Sequence, residues 1–113
     1  MRETNLMIDL NKSIYKPFRY MQYDNEHTLN LILHEDKRAS DLETYHAIAI
    51  FQIGEDILKK ECNIENNCIK INIDKDITSR IGKVSLEVVL SNNIQTITTF
   101  TIFFNIEGSI IWN

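Results

Sequence analysis

The chain has 113 residues, with 12 Lys and Arg against 16 Asp and Glu, for a formal net charge of −4. That length fits one hydrophobic core, and the mild acidity argues against a surface that tracks phosphates, which needs a basic face. No run of about 18 apolar residues exists to cross a bilayer as a helix. The opening Met1–Asn5 is charged where a secretory signal would carry an apolar core, so the expectation is a cytoplasmic product with neither membrane nor nucleic acid as partner.

Ile occurs 19 times and Ala 3 times. β-Branched side chains suit a pleated surface, and Ala, the strongest helix former, is scarce. A base-composition bias would raise Ile, Asn and Lys in any fold, so periodicity has to decide. In chain order, residues 8–33 hold a short lead (Ile8, Asp9, Leu10), an aromatic segment stiffened by Pro17, a turn at Gln22–Asn25, and an alternating strand with Leu29, Leu31 and Leu33 on one face. His34–Glu43 is polar and reads as a connection. Tyr45, Ala47, Ala49, Phe51 and Ile53 then oppose His46, Ile48, Ile50 and Gln52, so both faces are apolar and the strand is expected to be central.

Gly54–Asp56 marks a corner, and Asn63–Asn67 reads as a hairpin loop ahead of Ile69, Ile71 and Ile73. One helical or 3₁₀ turn is predicted near residues 76–81, with Asp74 or Asp76 as cap and Gly82 as a left-handed C′ residue. Val84, Leu86, Val88 and Leu90 line a further strand, Ser91–Asn93 closes the last hairpin, and Ile94, Ile102, Phe104 and Ile106 share one parity after it. Seven or eight short strands with regular turn signals predict an all-β protein, an immunoglobulin-like antiparallel β-sandwich, occupying residues 1–113 as a single domain. No repeat or Gly/Ser-rich linker divides it.

Signatures of catalysis are missing. Gly54, Gly82 and Gly108 stand far apart, so no phosphate-cradling loop can form, and no Ser has the context of a nucleophile elbow. His27 and His34 bracket one strand with opposite parity and cannot share a face. Asp74 and Asp76 lack the Gly and distal Glu of a calcium loop, and helix capping accounts for them better. Cys62 and Cys68 could face each other across a hairpin and form a disulfide, but in a cytoplasmic product two free thiols are expected, and two cysteines alone fall short of a zinc site. The reading is a protein that is not an enzyme, with no catalytic residues, no cofactor and no metal.

The remaining signal is aromatic. Tyr15, Phe18, Tyr20 and Tyr23 with Arg19 have the composition of an interface core, although the same rings would also serve to fill or cover a sandwich. Ile110, Ile111 and Trp112 form a second apolar cluster near the C-terminus. Tyr15, Phe18, Arg19, Tyr20, Tyr23 and Trp112 are therefore the candidate partner-contact residues.

Ordered landmarks then carry a resemblance. They are Ile8-Asp9-Leu10, Gln22-Tyr23-Asp24-Asn25 before a strand, Asp41-Leu42 before the strand holding Phe51, Ile81-Gly82-Lys83-Val84, and an approximate match at Ile97–Ile102. From about Met7 to Glu107 the chain resembles the N-terminal immunoglobulin-like domain of baseplate upper proteins, from the tails of phages that infect Gram-positive bacteria. It departs from that pattern in having no Gly between Glu35 and Ser40 and in stopping at Asn113, where such proteins usually continue into a stalk. The resemblance implies a virion structural protein, assembled in the host cytoplasm as a homo-oligomer. It would dock on the distal tail protein and help to hold the receptor-binding protein. The alternative of another class is a carbohydrate-binding or adhesion module acting directly on wall glycans, which would need coplanar exposed aromatics or bound calcium.

Overall fold

A computed structural model describes residues 2–9, 18–35, 38–39, 42–98 and 101–108. Its elements are β1 (Arg2–Asp9), β2 (Arg19–Met21), β3 (His27–Glu35), β4 (Arg38–Ala39), β5 (His46–Ile53), β6 (Asp56–Glu65), β7 (Cys68–Ile73), α1 (Lys75–Thr78), β8 (Gly82–Ser91), β9 (Thr96–Thr98) and β10 (Ile102–Glu107). The all-β expectation is met. The described strands form one curled sheet in the order β1-β3-β7-β6-β5-β8-β10-β2, with β4 added to β3 and β9 to β8. β6 is the reason for a single sheet. Its first part pairs with β5 and its last residues, Asn63–Glu65, pair with β7, so the two layers expected of a sandwich are joined through this strand.

Period-two alternation places the core. Leu29 and Leu31 face Ile71 and Ile69 across the β3–β7 ladder, Leu33 and Ile73 extend the two rows, and all six are buried. Phe51, Val84, Leu86, Val88 and Leu90 supply the opposite wall, with Ile102, Phe104 and Ile106 beyond them. Each such side chain contributes roughly 1.5–3 kcal/mol relative to exposure in water. β5 is central as expected, between β6 and β8, but its second face is open: Ile48 is exposed and Ile50 half-buried.

Two pairings depart from the antiparallel expectation. β1 runs parallel to β3, and β2 runs parallel to β10. A parallel pair needs a long crossover. β2, which falls between β1 and β3 in the sequence, lies at the other end of the path of described strands. A polar row across the layer fixes the first register. Asn5 stands opposite Asn30, and Asn30 opposite Lys70. Asn30 is buried and its Nδ2 donates to Asn5 Oδ1 at 2.8 Å. A slip by one residue would turn Leu6 and Ile8 out of the core and leave that amide without its partner.

Turn chemistry differs from the sequence reading in three places. The β6–β7 loop is only Asn66–Asn67, because Asn66 accepts a φ of 54° and lets both strands run on to Glu65 and Cys68. Cys62 therefore stands opposite Ala47, Cys68 stands opposite Glu65, and both thiols are free. The predicted helical turn is α1, and Asp74 is the cap: its Oδ1 accepts from Asp76 N at 3.0 Å. Gly82 is not the C′ residue. The helix ends at Ser79 in right-handed geometry, and Gly82, at φ 141°, opens β8. The hairpin at Ser91–Asn93 is present, closed by the Asn92 side chain accepting from Ile94 N and Gln95 N. Ile94 sits at its tip, 90% exposed, and not in a strand.

Candidate interaction site

The segment from Phe18 to His27 is built by three anchors. First, β2 lies parallel to β10, with Tyr20 opposite Ile106. Second, aromatic rings fill the space beneath it. Phe18 stacks on Phe104 with centroids 5.1 Å apart, and Tyr20 meets Phe104 edge-on at 5.4 Å and His27 edge-on at 5.1 Å. Such pairs contribute about 0.5–1.5 kcal/mol beyond their burial. Third, the turn after β2 is clasped to α1. Tyr23 N donates to the Thr78 carbonyl at 3.0 Å, the Thr78 hydroxyl donates to the Asp24 carbonyl at 2.6 Å, and Gln22 Nε2 donates to the Ser79 carbonyl at 3.0 Å.

That clasp holds an unusual backbone. Tyr23 and Glu26 have φ of 67° and 58°, a left-handed region that non-glycine residues rarely adopt. Such strain persists only where surrounding contacts over-determine it. Asp24 helps by accepting from Met21 N at 2.9 Å through Oδ2, and His27 Nε2 lies 3.6 Å from the same oxygen. His27 and Tyr20 are both buried, and His27 Nδ1 and the Tyr20 hydroxyl make no hydrogen bond of ordinary geometry among the described residues. Burial pushes the Tyr20 phenol above its ordinary value, Thr4 opposes that rise and Asp24 adds to it.

The candidate contact residues therefore divide. Tyr20 points inward at 2% exposure and is core, and Phe18 is half-buried against the same core. The reason is parity: Tyr20 shares the inward face of its short strand with the apolar wall of β10. Arg19, on the opposite face, is exposed and pairs with Glu107. Tyr23 is exposed at 43%, displayed by the clasped turn. Tyr15 and Trp112 lie outside the described residues. The structure thus leaves Arg19 and Tyr23 on the surface and brings Phe18 and Tyr20 together beneath it.

Asp24, His27 and Thr78 complete this segment without a motif of their own. Asp24 and His27 at a spacing of three hinted at a local pair, but Thr78 is brought in from 54 residues away and has no local signature. Among the described residues, no group of three or more His, Cys, Asp or Glu is placed to hold a metal ion. A surface hollow of about 260 Å³ is lined by Thr44, His46, Asn92, Asn93 and Ile94, away from this cluster.

No protein-family model matches the sequence, and no curated protein matches it. Among solved structures, the chain is similar to the N-terminal domain of phage TP901-1 ORF48, with a TM-score of 0.77 over 95% of this chain and 99% of that one. The two share 12% sequence identity, so the likeness is one of fold.

Proposed function

We propose that this chain is a non-enzymatic structural domain of a phage virion, an adaptor that docks on the tail baseplate and helps to hold the host-attachment apparatus. One observation carries the reading: the fold match to a phage protein's N-terminal domain extends over nearly the whole of both chains. The ordered landmarks from Ile8 to Ile102 point the same way by an independent route. The docking partner under this reading is the distal tail protein, with the receptor-binding protein held further out, the chain in several copies, and the virion as its location. Arg19 and Tyr23 are the candidate contacts that remain at the surface.

The glycan-binding alternative is less well supported, because Phe18 and Tyr20, which would have helped to form a flat aromatic platform, are engaged with Phe104. The test is to mix the chain with the cognate distal tail protein and follow complex formation by size-exclusion chromatography with light scattering. A complex at micromolar concentrations is expected. Its absence, together with saturable binding to wall polysaccharide, would replace docking by the glycan reading.

A further inference from the structure

The path of the described strands ends at β1, and β1 is an uncommon edge strand. Among the described residues its strand partner is β3, to which it is paired without interruption over eight positions, Arg2 to Asp9. Backbone groups alternate in direction along a strand, so about half of the N–H and C=O groups of β1 point away from β3. Natural edges are usually blunted by brevity, a bulge, proline or an inserted charge. β1 has none of these across its centre: Thr4-Asn5-Leu6-Met7-Ile8 is regular, uncharged and free of proline and glycine. Its inward face is committed, with Leu6 and Ile8 buried. Its outward face carries Glu3, Asn5 and Met7, all exposed, with Met7 at 57%.

The geometry points to β1 as the strand onto which an extended segment of the baseplate partner adds as a further strand, an inference that rests on the docking reading above. An open ladder selects its occupant by conformation, since only extended backbone can meet its donors and acceptors in register. The outward row selects by charge and shape. An incoming strand gains from Lys or Arg opposite Glu3 and an apolar side chain opposite Met7, so the partner segment carries a basic and an apolar residue four apart. A second copy of this chain suits the edge less well, because each copy carries a net charge of −4. On β5, exposed Ile48 is flanked by Glu61 and Val89, and half-buried Ile50 by Lys59 and Glu87, so that face is broken by charges.

The test uses the full chain titrated with the cognate distal tail protein, with hydrogen exchange read by mass spectrometry in the complex. Exchange across residues 2–9 should slow on binding. Met7→Lys should weaken binding by about fivefold, the upper range for a lost cross-strand pair, while its thermal midpoint stays near that of the parent. Glu3→Lys should weaken binding in a way that added salt diminishes, and Ile57→Lys, on the outward face of β6, should bind as the parent does. A complex that forms without protection of residues 2–9, and that Met7→Lys leaves intact, would overturn strand addition while docking stands. No complex at all would remove both. A concentration-dependent dimer abolished by Met7→Lys in analytical ultracentrifugation would overturn the choice of occupant.

Discussion

β1 and β2 end the same sheet and are built in opposite ways. β2 is three residues long, lies over the rings of Phe18, Tyr20 and Phe104, carries Arg19 paired with Glu107, and runs into a turn clasped to α1. β1 is eight residues long, is held on one side by β3 and the Asn5–Asn30 bond, and presents an uncharged centre on the other. The contrast teaches that an edge can be retired by mass and hydrogen bonds beneath and beside it, or kept available by regularity. The first costs aromatic residues and a strained turn. The second exposes the chain to unwanted pairing unless a partner fills it.

The largest expected effect comes from Phe104→Ala, which removes the ring shared by Phe18, Tyr20 and Phe51. Urea denaturation should show a loss of about 3–5 kcal/mol, with hydrogen exchange accelerated more at residues 18–21 than at 2–9. Equal acceleration at both edges would erase the contrast. Next is Thr78→Val, which keeps the shape of a fully buried side chain but removes the hydroxyl that donates to the Asp24 carbonyl at 2.6 Å. A loss of about 1–2 kcal/mol is expected. Faster proteolysis at Tyr23 would sharpen the view that α1 holds the strained turn.

A third prediction sits in β6, between the two edges. Burial pushes the Cys62 thiol from its ordinary 9.0 up to about 11, so the folded state keeps the proton longer than the unfolded chain does. The stability this provides is complete below about pH 9 and is lost as pH rises toward 11. Comparing the parent with Cys62→Ala in urea across that interval should show the parent falling more steeply, and alkylation of Cys62 at pH 8 should be slow until denaturant is added. The smallest effect is reserved for Arg19→Ala. Its ion pair with Glu107 is largely in solvent, so the change should stay within about 0.5 kcal/mol. A larger loss would mean that charge, and not the aromatic layer, seals the β2 edge.

Much of the fold was legible because period-two alternation is a local signal. Leu29 to Leu33, Ile69 to Ile73 and Val84 to Leu90 face inward as their parity requires, and Asp74 caps α1 because a carboxylate ahead of a short helical run meets its free N–H groups. Loop lengths were less legible. Asn66 could belong to a five-residue loop or to a two-residue turn, and its left-handed φ depends on how far β6 and β7 continue to pair. The candidate site was only half legible, since three residues of β2 are too few for parity to separate Tyr20 from Arg19 without knowing which face meets β10.

Residue order alone determined that this chain makes strands and which alternating residues of β3, β5, β7, β8 and β10 line its core. Tertiary structure decided what no local pattern can express: that β6 joins both layers into one sheet, that β1 and β2 pair in parallel at its two ends, and that Thr78 meets Asp24 across 54 residues. The physical reason is that alternation fixes which face of a strand is apolar but not which neighbour it finds. Neighbours are chosen by the closure of the whole sheet around one core.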